Sequence, residues 1–207
     1  MISLINVTDP FCQKTCKDVN LEAFCPVVDG NAENVELIMI SEALPKESQD
    51  YFYNGNSASF FQTTQTAFAD AGFEIKHPSE FIQNGIYLTT AIKCTKKNYL
   101  VSADTIKNCS FSLEKELEVF KNVRVIMCMG DFAIKAVNYI FKRKFGVRVI
   151  PAGSTYRIRK QEYIHNGIRF YPSYTQTGDS FNIEKSKRTM IAEDIKSAIE
   201  YLNRDIM

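Results

Sequence analysis

From Glu36 onward the chain alternates short, nearly all-apolar runs with longer stretches whose apolar residues recur every three to four positions. Residues 36–41 (Glu-Leu-Ile-Met-Ile-Ser) read as a central strand, because a strand covered on both faces shows no polar alternation. Over residues 57–71, Phe60, Phe61, Thr64, Ala67 and Phe68 fall at helical spacing, and Gly72 stands where it would close the helix. Residues 85–92 predict a second strand. Ser102 is placed to cap a helix reaching Phe120, striped by Ile106, Phe111, Leu113, Leu117 and Phe120. Residues 123–129 predict a third strand, ended by Gly130, and the helix that Asp131 starts carries Phe132, Val137, Ile140 and Phe141. Residues 148–150 and 167–171 predict two more strands around a polar hairpin. A last helix runs from about Ile183 to Asn203 and buries Met190, Ile191, Ile195, Ala198, Ile199 and Leu202. Strands alternating with helices predict a parallel sheet covered on both faces. Residues 1–35 have no such periodicity, so something other than a broad apolar face must hold them.

Composition narrows the class. With 207 residues, 45% of them hydrophobic, and only 9 Gly and 6 Pro, the chain can bury roughly 70% of its unfolded surface, and residues 1–207 are expected to form one domain. Disordered, collagen-like and low-complexity classes are excluded. The 25 basic and 24 acidic residues leave a net charge of +1, so no global field draws the protein to nucleic acid or membrane and any basic site must be local. The first eight residues lack a basic segment, and their apolar character ends at Asp9-Pro10, too early for a signal peptide. Apolar runs such as 37–40 and 123–129 fall far short of the roughly 20 residues a membrane helix needs. The expectation is a soluble, cytoplasmic protein with reduced thiols. No phosphate-binding glycine loop and no Gly-x-Ser-x-Gly is present, so nucleotide hydrolysis through such a loop and serine esterase chemistry lack support. His77 and His165 stand outside any catalytic pattern and read as surface residues.

The 6 cysteines are too few for a disulfide scaffold, but four of them fall in two local pairs. Cys12 and Cys16 are spaced C-x3-C, and Cys94 and Cys109 flank the loop after the second strand. Two such pairs are what a four-thiolate site requires, and soft sulfur ligands select zinc or an iron–sulfur cluster. The plainer reading is that all are small buried apolar residues, which holds most strongly for Cys128 inside its strand. Cys25 is able to replace Cys12 or Cys16 as a ligand.

Five short motifs follow one another along the chain. A Gly-Glu-Ala-Pro-Gly-like loop is resembled by Ser41-Glu42-Ala-Leu-Pro45, Thr-Asn-x-x-Lys-Cys by Thr89-Thr90-Ala-Ile-Lys93-Cys94, and Cys-x-x-x-Leu by Cys109-Ser-Phe-Ser-Leu113. Leu-Gly-x-x-Ala is similar to Met129-Gly-Asp-Phe-Ala133, and the late Pro-x-x-His-Pro-Ser loop to Pro172-Ser-Tyr-Thr175-Gln-Thr. Taken in this order, the motifs resemble those of the uracil-DNA glycosylase superfamily, most closely its iron–sulfur branch, over about residues 10–200. The resemblance implies a three-layer α/β/α sandwich around a four-stranded, mainly parallel sheet. It also implies a 4Fe-4S cluster on Cys12, Cys16, Cys94 and Cys109, with zinc as the alternative.

The function so implied is hydrolysis of the bond between a damaged or deaminated base and deoxyribose in DNA, and the alternative is an inactive nucleic-acid or nucleotide-binding module of the same fold. Glu42 would act on the water, although its plain reading is a solvated loop carboxylate. Thr90 stands where the family has a base-reading Asn, and Thr175 where it has His. A single hydroxyl cannot reproduce a two-point amide contact, and threonine carries no positive charge for the leaving base, so uracil selectivity is not implied. Tyr53 is placed to stack on a base, unless it belongs to the packing of the helix that follows. Lys93, Lys96 and Lys97 form one basic group expected to touch DNA. Lys185, Lys187 and Arg188 form a second, and Arg157, Arg159 and Lys160 a third; each also reads as a solvated face. Phe181 follows the late loop as a possible duplex wedge or as a hydrophobic staple of the last helix. The protein is expected to be a monomer that meets DNA and no membrane.

Overall fold

A computed structural model describes residues 4–5, 14–20, 28–178 and 180–204. In chain order the elements are β1 (Leu4–Ile5), β2 (Val19–Asn20), β3 (Val28–Asp29), β4 (Leu37–Leu44), α1 (Ser59–Asp70), α2 (Ser79–Gln83), β5 (Ile86–Lys96) and α3 (Ala103–Leu117). They continue as β6 (Val125–Met129), α4 (Asp131–Phe145), α5 (Thr155–Ile158), β7 (Tyr163–His165), β8 (Ile168–Ser173), α6 (Ser180–Ile183) and α7 (Lys185–Arg204). The main sheet has the order β2-β5-β4-β6-β8-β7. Its four inner strands, β5, β4, β6 and β8, run parallel, as expected from helical connections. The sheet nevertheless has six strands, not four, because β2 and β7 pair antiparallel at its two edges. Strands of two and three residues leave no periodic signal in a sequence.

Side chains of successive strand residues point to opposite faces, which splits the core in two. Ile38, Ile40, Tyr87, Ile126 and Cys128 pack under α3 and α4, with Ile106, Leu113, Val137 and Ile140. Leu37, Met39, Leu88, Val125 and Met127 pack against α1 and α7, with Phe61, Phe68, Ile191 and Ile195. Cys128 is one of these core residues, and burial pushes its thiol far up. Phe111, expected in the buried stripe of α3, is exposed instead and carries the Arg143 guanidinium 3.9 Å from its ring centroid. Among the described residues no helix is long and apolar enough to cross a membrane.

Residues 148–150 are not a strand. Ile150 is buried, but its N–H donates to Asn138 Oδ1 (3.1 Å) and its carbonyl accepts from Asn138 Nδ2 (2.9 Å), so one side-chain amide takes the place of a ladder. The hairpin partner of β8 is β7, which turns back through Asn166 and Gly167, both at positive φ. Among the described residues of the aperiodic N-terminal part, backbone pairing and one carboxylate add to the burial of Val19 and Val28. β1 pairs with β3, and β2 pairs with Thr95 and Lys96 of β5. Asp18 accepts from the Ser102 N–H (2.6 Å) and the Thr105 hydroxyl (2.5 Å) at the start of α3. Its slight burial pushes its pKa up, but these hydrogen bonds outweigh that and hold the carboxyl below the usual range.

One polar cluster lies inside the α3 layer. Glu116 is fully buried and forms an ion pair with Lys93. The same carboxylate accepts from the Tyr87 hydroxyl (2.8 Å) and the Thr89 hydroxyl (2.7 Å), and Lys93 Nζ donates to Thr89 (2.6 Å). Breaking a buried pair strands the surviving charge. Lys93→Met is therefore expected to cost about 3–5 kcal/mol, read as a lower urea midpoint with an unchanged slope.

Candidate functional site

The inner strands end at one edge of the sheet, where open α/β folds place their ligands. β4 delivers Ser41 and Glu42 to this edge, β5 delivers Thr90, β6 leads into Gly130, and β8 ends at Ser173. Ser41 and Thr90 are register partners, so they share a face, and Glu42 points to the other.

Glu42 is partly buried, its side chain 22% exposed, on the α3/α4 side. Its carboxylate lies 3.6 Å from Lys96 Nζ, and that ammonium stands 5.2 Å from the centroid of the Phe132 ring. Beneath it is Gly130, the residue before α4. A Cβ at Gly130 would lie 2.6 Å from Glu42 Cγ and 2.7 Å from Oε1. Gly130 has φ 108° and ψ 167°, a region open essentially to glycine alone. Its N–H donates to the Ser173 carbonyl (2.9 Å), which ties the start of α4 to the end of β8. Behind that carbonyl, the Ser173 hydroxyl donates to buried Asp194 (2.6 Å), which also pairs with Arg159 (2.7 Å). Burial pushes the Asp194 carboxyl up to about 6 against the pull of Arg159 and Ser173.

On the α1/α7 side, Thr90 is fully buried and its hydroxyl donates to the Ile92 carbonyl (3.0 Å), beside the register shift between Ala43 and Leu44. The Ser41 hydroxyl donates to Gln176 Oε1 (3.0 Å). Gln176 is completely buried, yet its Nε2 finds no hydrogen-bond partner. Such a group costs on the order of 1–3 kcal/mol unless something accepts from it. The Thr175 and Thr177 hydroxyls are hydrogen-bonded to each other (3.1 Å) in the same loop. Sequence reasoning missed Gln176 because one glutamine in a threonine-rich loop carries no sign of burial. Ser41, which stands where the resembled loop has glycine, is the residue that holds Gln176.

Other expected site residues are occupied elsewhere. The Tyr53 hydroxyl accepts from the Leu88 N–H (2.7 Å), its ring stacks on Tyr87, and burial pushes its phenol far above the usual range. Phe181 is 2% exposed, packs in the α1/α7 core and has the Arg188 guanidinium 5.6 Å from its ring centroid. Lys93, expected at a DNA surface, is buried against Glu116 instead. Arg159 of the third basic group is buried with Asp194, and Arg188 of the second is paired with Asp70. Lys96 is half-buried and Lys97 exposed at the end of β5.

Cys94 on β5 and Cys109 on α3 are buried in one apolar cluster, against which Cys16 packs. The Asn108 amide, next to Cys109, donates to Cys16 Sγ at 3.8 Å. Three of the four expected thiols thus lie in neighbouring elements, and as sulfur donors they suit a soft metal. Among the described residues, however, no group of three or more His, Cys, Asp or Glu side chains is gathered to hold a metal ion. Cys12 and Cys25 lie outside the described residues.

A family model described as the uracil DNA glycosylase superfamily matches residues 27–193 of the chain. The chain is also 28% identical, over 115 residues, to a protein of Pyrobaculum aerophilum named type-5 uracil-DNA glycosylase. That similarity spans 55% of this chain and 46% of the relative, so the chain matches less than half of the relative's length.

The contact between Glu42 and Gly130 yields a direct test. Gly130→Ala is expected to destabilise the fold by about 1–3 kcal/mol, from backbone strain alone, and to displace the Glu42 carboxylate. Thermal unfolding measures the first effect, and a crystal structure of the variant shows the second.

Proposed function

Since the chain belongs to the uracil-DNA glycosylase superfamily, we propose that it is a DNA N-glycosylase that removes a deaminated or otherwise damaged base by hydrolysis. The observation that carries this reading is the Glu42 carboxylate, held over Gly130 at the carboxyl end of β4 and oriented by Lys96. In the reaction a water oxygen bonds to C1′ of the deoxyribose as the bond from C1′ to the base nitrogen breaks, and the bonding pair leaves with the base. Glu42 takes the water proton and balances the positive charge that develops on the sugar, and the released base is protonated from solvent. The free Nε2 of Gln176 supports recognition of a base carbonyl, the group that deamination creates in place of an amine. Thr175 and Thr177 offer neutral hydroxyls to the departing base. Lys96 and Lys97 supply phosphate contacts beside the site.

We also propose that Cys12, Cys16, Cys94 and Cys109 hold a 4Fe-4S cluster. When bound, it would bridge these four thiolates and so tie the N-terminal segment to β5 and α3. The protein's own residues already begin that tie through β2 pairing and Asp18.

A second reading, a binding module without turnover, is favoured by Thr90, whose hydroxyl is committed to Ile92, and by the neutral Thr175.

The deciding experiment incubates the purified protein with single- and double-stranded oligonucleotides carrying uracil, hypoxanthine or xanthine, then cleaves abasic sites with alkali. Cleavage of at least one substrate is expected, and Glu42→Gln is expected to slow it by about 10²- to 10⁴-fold. Binding without cleavage sustains the second reading. For the cluster, brown protein with close to four irons per chain is expected, with colour lost in Cys109→Ala; colourless protein containing zinc overturns it.

A further inference from the structure

Tyr99 and Leu100 are 94% and 83% exposed, adjacent in sequence, in the short loop between β5 and α3. Together they form the most exposed pair of large apolar side chains adjacent in sequence among the described residues. The loop is anchored at both ends by one neighbour: the Lys97 N–H donates to the Asp18 carbonyl (3.1 Å), and the Ser102 N–H to the Asp18 carboxylate (2.6 Å). Lys97 Nζ also donates to the Lys17 carbonyl (3.1 Å), and Val101 is buried. The tip is therefore presented on a fixed base. The loop begins at Lys97, next to Lys96, whose ammonium lies 3.6 Å from the Glu42 carboxylate, so its base adjoins the candidate site.

We propose that this loop is the protein's DNA wedge: Tyr99 and Leu100 press against or between bases next to the nucleotide at Glu42, while Lys96 and Lys97 hold the flanking phosphates. The inference rests on the reading that the Glu42 edge meets DNA. Phe181, the wedge expected from the resemblance, is buried in the core and leaves that task open. The pairing of two cations with an aromatic and an aliphatic tip matches a polyanion with stacked faces. A membrane surface is a poorer match, because the net charge is +1 and this loop projects just two large apolar residues.

The chain contains no tryptophan, so Tyr99→Trp places a single reporter at the tip. Titrating this full-length variant with a fluorescein-free duplex is expected to quench its emission as the indole stacks on bases. Fluorescence anisotropy with a labelled duplex and a labelled single strand is expected to show that Tyr99→Ala/Leu100→Ala binds about 5- to 100-fold more weakly. Ile183→Ala, an exposed apolar residue after β8, is expected to bind as wild type. Emission that stays unquenched while anisotropy reports binding, or a double variant that binds like wild type, overturns the wedge and leaves the glycosylase reading standing. Loss of binding only in Ile183→Ala overturns it in favour of the late loop. Quenching without any base release supports the wedge while sinking the enzyme reading, and no DNA binding by the wild type overturns both. Self-association that the double variant abolishes, in the absence of DNA, assigns the tip to a protein contact and overturns the proposal.

Discussion

Every part of this molecule answers to the burial of β4 on both faces. Leu37 and Met39 face the α1/α7 layer and Ile38 and Ile40 the α3/α4 layer, so this stretch of the strand has no solvent side on which to carry a polar group. A parallel ladder on each edge satisfies its backbone, from β5 and from β6. Polar chemistry is displaced to the strand's carboxyl end, and it begins abruptly there at Ser41 and Glu42. The same constraint acts on β5, where Thr89, Thr90 and Lys93 are buried and each must be answered by another protein group. Glu116 answers two of them, and the Ile92 carbonyl answers the third.

The strand's two-sidedness also divides the candidate site. Glu42 works on the α3/α4 side, over Gly130 and near Lys96, while Ser41, Thr90 and Gln176 lie on the α1/α7 side. The proposed hydrolytic group and the proposed reading group therefore flank the strand end instead of sharing one wall. Gly130 links them. Its conformation admits no side chain, its N–H is fixed by Ser173, and Ser173 is fixed in turn by Asp194. A buried ion pair at Arg159 and Asp194 thus stands behind the strand end from which the Gln176 loop leaves.

Charge follows the same logic. A net charge of +1 left three basic groups as the routes to a polyanion. In each of them the fold turns one member to structure: Lys93 to Glu116, Arg188 to Asp70, and Arg159 to Asp194. Lys96 and Lys97 keep their place beside the site because β5 runs past its pairing with β4, carried on by β2. That extension also projects the Tyr99 and Leu100 tip.

The sequence by itself determined the parallel, helix-covered sheet, because apolar runs and helical stripes are local patterns set by which faces are buried. It marked Glu42 at the end of one strand and Gly130 at the end of another, and it pointed to sulfur chemistry in two local cysteine pairs. Tertiary structure alone decided the rest. Two-residue β2 has no periodicity to detect, and residues 148–150 look like a strand until Asn138 takes their hydrogen bonds. Burial of Lys93 and Phe181, and exposure of Tyr99 and Leu100, depend on partners far away in the chain, as does the unpaired Nε2 of Gln176. Residue type sets what a side chain is able to do, but only the packing of distant elements sets whether it is free to do it.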